Sequence, residues 1–109
     1  MKRYCLALDL KNDPALIAGY VKHHENGWPE NLKAIKDAGI EVMDIYLTGN
    51  RLFMIMETKD DFSFEEKSKS DALNKKVQEW EELMWRYQLP LPHAKPGEKW
   101  MVMDKIFEL

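Results

Sequence analysis

The chain has 109 residues, 45% of them hydrophobic and 32% charged, which is the composition of one folded globular domain rather than of a disordered segment. Sixteen Lys and Arg residues against nineteen Asp and Glu give a formal net charge of -3, whereas nucleic-acid binding requires a concentrated basic surface. No apolar segment approaches the roughly 18 residues that a membrane-spanning helix needs. We therefore expect a single domain, residues 1–109, with neither nucleic acid nor membrane as its partner.

The cysteine content and the N-terminal sequence bear on location. Cys5 is the only cysteine, so it cannot form an internal disulfide, and its apolar neighbours predict a small core residue. The first ten residues contain an apolar run that is too short and too interrupted for a signal peptide. These features predict a cytoplasmic protein.

The first part of the chain predicts a strand followed by a helix that is broken in two. Residues 3–10 alternate as a strand does, with leucines on one face. Asn12 or Asp13 can then cap a helix. This helix is expected to end at Gly27, where glycine supplies a left-handed cap, and a second helix covers residues 28–39.

The rest of the chain predicts a hairpin, a long helix and a closing strand. Strand-like runs at 40–47 and 51–58 are joined by a Gly-Asn step, which indicates a hairpin. Residues 63–87 begin with a capping-box sequence and repeat apolar residues at helical spacing. Residues 88–99 hold three of the five prolines and predict a loop, and residues 100–109 predict the last strand.

The order of these elements predicts an α+β fold. A βαββαβ order is that of the ferredoxin-like arrangement, a four-stranded antiparallel sheet with its helices on one face. Neighbouring strand residues such as Val42 and Met43, or Met54 and Ile55, point to opposite faces and are nevertheless all apolar. The face without helices therefore needs a partner, a ligand or both, which favours a dimer or a buried pocket on the sheet.

No pattern in the sequence predicts a metal or a cofactor. His23 and His24 are adjacent, so on a helix they diverge by about 100° and cannot face one ion. His93 has no carboxylate or cysteine near it in sequence. The glycines form neither a phosphate-binding loop nor a dinucleotide fingerprint, and no nucleophile elbow is present.

Acid–base chemistry is what the remaining polar residues could support. Tyr20 and His24 are four residues apart on one helix, so their side chains lie on the same face. A histidine with a pKa near neutrality is the usual proton-transfer group, and Trp28 at the helix end could supply a flat apolar wall. The alternative interpretation is ordinary aromatic packing at a helix end. His23, one step around the helix, is expected to be exposed and structural.

These same residues carry a family resemblance. The pattern Tyr20-x-x-x-His24-x-x-x-Trp28-Pro29, followed by the IYL run at 45–47, resembles the rhamnose/fucose mutarotase family. The resemblance extends over essentially the whole chain, including its length and the broken helix.

The resemblance implies a homodimeric α+β barrel in which two ferredoxin-like sheets face each other. It implies an isomerase that interconverts the α and β anomers of a free 6-deoxyhexose, L-rhamnose or L-fucose, without cofactor or metal. The pyranose opens when the anomeric hydroxyl loses a proton and the ring oxygen gains one; rotation about C1–C2 and reclosure invert the anomer. By position, His24 matches the proton donor, Tyr20 a substrate-binding tyrosine and Trp28 a residue that shapes the pocket.

The chain departs from the rhamnose-type pattern at two sugar-contacting places. Met43 stands where that type has a tyrosine, three residues before the conserved Tyr46. Trp80 is followed by Glu81, where that type has paired tryptophans. Glutamate in place of an aromatic exchanges stacking for hydrogen bonds to hydroxyls. The expected substrate-binding residues, besides Tyr20 and Trp28, are Met43, Tyr46, Trp80 and Glu81, and the departures favour L-fucose.

Two other functions stay open for the same fold. Ferredoxin-like dimers also serve as small-ligand binding modules, so a sugar-binding domain without catalysis is one alternative. A cofactor-free monooxygenase on the same dimeric barrel is the other. The roles of Asp44, Asp104 and His93 are left open by the sequence.

Overall fold

Five strands and four short helices make up the fold, which is described by a computed structural model of residues 1–109. The strands are β1 (Lys2–Leu10), β2 (Ile40–Thr48), β3 (Arg51–Thr58), β4 (Gln88–Leu89) and β5 (Met101–Val102). The helices are α1 (Pro14–His24), α2 (Pro29–Asp37), α3 (Phe64–Ala72) and α4 (Lys75–Trp85). None of the four helices has the length and apolar character needed to cross a membrane.

The strands form one antiparallel sheet in the order β2-β3-β1-β4, with β5 also paired to β1. On one side β1 pairs with β3, where Cys5 lies opposite Ile55. On its other side β1 pairs with β4 at Leu10 and with β5 at Leu6. The predicted α+β, ferredoxin-like arrangement is confirmed, except that two short strands share the edge where the sequence predicts one.

Both helical regions are divided by a local cap. The Asp13 side chain accepts hydrogen bonds from the first backbone amides of α1, and Gly27 separates α1 from α2 with a φ of 63°, as the sequence predicts. The prediction of one helix over residues 63–87 is wrong, because the structure has two helices there, α3 and α4. The Asn74 side chain caps α4 by accepting from two of its backbone amides, and Leu73, at the break, is 90% exposed.

The segment after α4 contains more structure than a loop. Gln88 and Leu89 form β4 within the region predicted as irregular, and Pro90 ends the pairing because proline has no amide hydrogen to donate. Gln88 lies opposite Leu10 in the antiparallel pair, so both side chains point to the helix-covered face.

The last strand is much shorter than residues 100–109. It covers Met101–Val102, and the final backbone hydrogen bond runs from the Met103 amide to the Cys5 carbonyl at 2.7 Å. The tail beyond it is exposed. Three of its residues are charged, and their hydration favours water over a place on the sheet.

The core lies between the sheet and the helices in two clusters of buried residues. The first cluster contains Leu6, Ile40, Met54, Met56 and Phe62. The second contains Leu10, Tyr20, Leu52, Trp80 and Met84. Trp100, which is partly buried, packs against both clusters.

The opposite face of the sheet has no helix over it. Strand alternation places Ala7, Phe53 and Tyr46 in one row across β1, β3 and β2 on this face, and Ile55 in the next row. Ion pairs flank these apolar residues: Arg3 with Glu57 at 2.9 Å, and Arg51 with Asp9 at 2.7 Å. In a single chain this apolar strip is uncovered.

Candidate active site

A cavity of about 680 Å³ lies between the helices and the sheet, on the helix-covered side. Its floor is apolar and comes from the strands, with Leu6, Met43, Ile45, Met54 and Met56 among the lining residues. Polar groups line it from all four helices, from the loop between α1 and α2, and from β2 and β4. Small-molecule sites have volumes of about 300–1,000 Å³ and combine apolar walls with a few polar groups, so this cavity has the character of one.

A second groove, of about 520 Å³, lies between α2 and α3 and is lined by charged and small polar side chains. It contains none of the predicted site residues. The first cavity is therefore the relevant one, because it gathers Tyr20, His24, Met43, Trp80 and Glu81.

Tyr20 and His24 meet on α1 as their spacing predicts. Their ring centroids are 4.4 Å apart, with planes inclined at 36°. The Nδ1 atom of His24 lies 2.8 Å from the backbone carbonyl oxygen of Tyr20. Because a carbonyl oxygen only accepts, Nδ1 must carry the proton, which leaves Nε2 of the neutral ring with a free lone pair.

Burial sets the protonation states of this pair. His24 keeps part of its surface open to solvent, but packing of its ring against Tyr20 and Trp80 partly desolvates the imidazole and lowers the pKa of His24, an effect that the hydrogen bond to the Tyr20 carbonyl opposes. Burial raises the pKa of Tyr20, whose side chain is only 3% exposed. At neutral pH the site therefore presents a neutral imidazole beside a protonated phenol.

Trp80 holds the aromatic side of the site together. Its ring lies edge-on to His24, with centroids 5.4 Å apart, and to Trp28, with centroids 5.2 Å apart. Trp28 packs behind Trp80 and does not line the cavity. Its position would shape the pocket through Trp80 rather than by direct contact.

Glu81 is fixed by an ion pair at the cavity wall. Lys99 contacts the Glu81 carboxylate, and its Nζ atom also donates to the Glu81 backbone carbonyl at 3.3 Å. The same ammonium group lies 4.5 Å from the centroid of the Trp85 ring, over its face. No sequence pattern predicts a role for Lys99, which is a single lysine in a proline-rich segment.

Tyr46 does not reach this cavity. Its neighbour Ile45 lines the cavity, so alternation along β2 turns Tyr46 to the face without helices, where its ring centroid lies 6.4 Å from that of Phe53. Tyr46 is 56% exposed there. Its contact with a substrate stays a prediction, and the cavity between sheet and helices lies on the other side of β2.

His23 is half-buried rather than exposed. Its Nε2 atom lies 3.0 Å from the Tyr87 hydroxyl oxygen, and its ring stands edge-on to Tyr87. It faces away from the cavity, so a structural role fits its position. Asp44 and His93 are both exposed and also lie outside the cavity.

Gln88 is a further polar residue of the cavity. It is 4% exposed, lines the cavity, and its Nε2 atom lies 3.4 Å from the Tyr20 hydroxyl oxygen. No sequence pattern marks it, because it stands at the start of a proline-rich stretch without strand alternation. Nowhere in the structure do three or more His, Cys, Asp and Glu residues gather as metal ligands would.

Comparison with known proteins identifies the family. A family model described as L-rhamnose mutarotase matches residues 3–109. An L-fucose mutarotase of Xanthomonas campestris pv. campestris is 42% identical, over 100% of this chain and 89% of that protein.

Two solved structures share the fold. The crystal structure of an L-rhamnose mutarotase from Formosa agariphila matches with a TM-score of 0.72 and 21% identity, over 100% of this chain and 99% of the other. Tetracenomycin F2 cyclase from Streptomyces glaucescens, a type-II polyketide cyclase, matches with a TM-score of 0.61 and 16% identity over the same shares. Since the family model and the Xanthomonas relative both cover nearly the whole sequence, the chain belongs to the L-rhamnose mutarotase family.

Proposed function

We propose that this protein is a mutarotase, an isomerase that interconverts the α and β anomers of a free 6-deoxyhexose, L-fucose or L-rhamnose. The observation that carries the proposal is the contact of a neutral His24 with a protonated Tyr20 inside the cavity of a chain from this family. The names of the relatives, L-fucose mutarotase and L-rhamnose mutarotase, support the choice of sugars.

The proposed reaction opens and closes one C–O bond, and the protein contributes only proton transfers and hydrogen bonds. The free Nε2 of His24 takes the proton of the anomeric hydroxyl, the C1–O bond to the ring oxygen breaks, and C1 becomes the aldehyde carbon. The Tyr20 hydroxyl donates a hydrogen bond to the ring oxygen as negative charge develops there. The imidazolium then gives its proton to that oxygen. Rotation about C1–C2 and the reverse steps close the other anomer, so no cofactor or metal is required.

Two features of the cavity support a 6-deoxy sugar. The methionines and leucine of its floor offer apolar contact to a methyl group in place of a hydroxymethyl group. On the wall, the Glu81 carboxylate held by Lys99 can accept hydrogen bonds from ring hydroxyls. With Met43 and Glu81 replacing the aromatics of the rhamnose type, L-fucose is the preferred substrate of the two.

We further propose a homodimer that closes the face without helices. In the dimer, the apolar strip around Phe53 and Ile55 of one copy would cover the same strip of the other and exclude water from both. This pairing of sheets is the α+β barrel that the resemblance implies. The flanking Arg3–Glu57 and Arg51–Asp9 pairs give the strip a polar rim.

A cytoplasmic location stays a prediction, supported by the single cysteine.

Saturation-transfer NMR tests the proposed activity directly. Wild-type protein should transfer saturation between the anomeric protons of L-fucose, and His24→Ala should slow that exchange by about 10²- to 10⁴-fold. His93→Ala, which changes an exposed histidine outside the cavity, is the matched control and should exchange like wild type. Sugar binding without accelerated exchange would instead indicate a binding module. Oxygen uptake with an aromatic substrate would indicate a monooxygenase.

A further inference from the structure

Gln88 contains a buried polar atom without a partner. Of the side-chain nitrogen and oxygen atoms that are fully buried, its Oε1 is the one that makes no hydrogen bond. Burying an unpaired carbonyl oxygen opposes folding, so such an atom calls for an explanation. Gln88 lies at the wall of the cavity that holds Tyr20 and His24, where a ligand could supply the missing donor.

The amide cannot satisfy both of its ends from the protein. Its Nε2 atom is 3.4 Å from the Tyr20 hydroxyl oxygen, which is the only hydrogen-bond partner of the Gln88 side chain. Exchanging the oxygen and nitrogen of the amide would leave the same deficit, because the single hydroxyl can pair with only one of them. In either orientation one polar group of Gln88 remains for something bound in the cavity.

The fold holds Gln88 in this place from two sides. Pairing with Leu10 directs its side chain to the helix-covered face. The preceding Tyr87 packs on α1 where Gly19 has no side chain; a Cβ there would lie 3.0 Å from the Tyr87 Cε1 atom. This close approach of β4 to α1 puts the amide beside Tyr20.

We propose that Gln88 binds the sugar substrate through one of its non-reacting ring hydroxyls, with Oε1 accepting the hydroxyl hydrogen. The inference rests on the proposed mutarotase function, in which His24 contacts the anomeric hydroxyl and Tyr20 contacts the ring oxygen. Gln88 adds a contact that distinguishes hexoses by their hydroxyl pattern. By holding the Tyr20 oxygen as an acceptor, it also leaves the phenolic hydrogen free for the ring oxygen.

The test compares sugars that lack one hydroxyl. Anomer exchange is measured with L-fucose and with its 2-, 3- and 4-deoxy analogues, for wild type and for Gln88→Leu. We expect Gln88→Leu to raise KM for L-fucose about 10-fold. We also expect one deoxy analogue to bind wild type more weakly by a similar factor, and to be unaffected by the substitution, since the hydroxyl and its partner are then both absent.

Controls separate this inference from neighbouring explanations. Gln78→Leu removes the chain's other glutamine, on the exposed side of α4, and should leave every KM unchanged. Gln88→Leu removes the unpaired buried oxygen but also the hydrogen-bond partner of the Tyr20 hydroxyl, so its melting temperature is measured beside the KM values. If it fails to fold, Gln88→Met, which is closer in shape, takes its place.

Two results would overturn the inference. An active wild type in which Gln88→Leu leaves KM for L-fucose unchanged, or raises KM equally for all four sugars, would exclude a contact between Gln88 and a ring hydroxyl while leaving the mutarotase function intact. A wild type that accelerates exchange of none of these sugars, nor of L-rhamnose, would overturn the proposed function and the inference with it.

Discussion

The Nδ1 atom of His24 donates a 2.8 Å hydrogen bond to the carbonyl oxygen of Tyr20, one helical turn earlier. This bond fixes both the orientation of the imidazole and its tautomer, so that the unprotonated Nε2 is the atom available for proton transfer. The residue that would bind the ring oxygen therefore also orients the base through its own backbone. Both functional groups are carried by α1, one helical turn apart.

This relationship predicts how activity depends on pH. The pKa of His24 is lowered from 6.5 by burial of the ring, so the neutral base is fully present at neutral pH. The exchange rate should be constant above pH 6.5 and fall about tenfold per pH unit once the pH drops below the pKa of His24. An exchange rate that rises on acidification would contradict the role of Nε2 as base.

The same shift has a consequence for stability, with a definite sign. Between pH 6.5 and the lower folded-state pKa, the unfolded chain binds the His24 proton and the folded chain does not, so stability falls as the pH is lowered through this range. Thermal melting of wild type should therefore decrease more from pH 7 to pH 5.5 than melting of His24→Gln, which cannot titrate. His93→Gln is the control and should follow wild type.

Tyr20→Phe tests the hydroxyl separately from the ring. The phenylalanine keeps the aromatic packing against His24, but it removes the donor to the ring oxygen and the partner of Gln88. We expect kcat to fall about 10²- to 10³-fold, as when one donor to a developing oxyanion is lost. Tyr4→Phe makes the same change on β1, outside the cavity, and should retain wild-type kcat.

The sequence predicts those parts of the site that lie within one element. Tyr20 and His24 are joined by helical spacing, which local geometry fixes. The alternation of β1, with leucines on one face, likewise predicts which of its side chains meet the helices. By contrast, Gln88 lies 68 residues from Tyr20, and Lys99 lies 18 residues from Glu81. These contacts depend on how β4 and the proline-rich segment return to the sheet, and no local pattern encodes that path.

Tyr46 illustrates a second difference between the sequence pattern and the structure. Its predicted contact with the substrate comes from its place in a family pattern, whereas a strand turns successive residues to opposite faces. With Ile45 at the cavity, Tyr46 must face the uncovered side. The sequence does not show which face of β2 each residue occupies, because both faces carry apolar residues. Alternation identifies the buried face only where the other face is polar.

Lys99→Met tests whether the ion pair holds Glu81 for the sugar. Without the ammonium group the carboxylate is free to leave the cavity wall, and a charge-assisted hydrogen bond to a ring hydroxyl weakens. We expect KM for L-fucose to rise about 10-fold while kcat stays within about twofold. Lys105→Met breaks an exposed ion pair in the tail and should change neither constant.

Ile55→Lys tests the proposed dimer. A charge in the middle of the apolar strip would remain solvated only if the strip stays open, so the substitution should convert dimers to monomers. Light scattering after size-exclusion chromatography measures the mass. Leu73→Lys changes an apolar residue that is 90% exposed at the α3–α4 break and should leave the mass unchanged. A monomeric wild type, or a dimeric Ile55→Lys, would exclude this face as the interface.

Met43→Tyr combined with Glu81→Trp tests the origin of sugar preference. Both residues line the cavity, and both differ from the aromatic residues of the rhamnose type. Restoring the aromatics replaces carboxylate hydrogen bonds by stacking on the sugar ring. We expect the ratio of kcat/KM for L-rhamnose over L-fucose to rise about 10-fold, a change in differential transition-state binding of about 1.4 kcal/mol. Because Glu81→Trp also leaves Lys99 without its partner, Glu81→Gln is measured beside it. If Glu81→Gln alone reproduced the whole shift, loss of the charge rather than gain of the aromatic would set the preference.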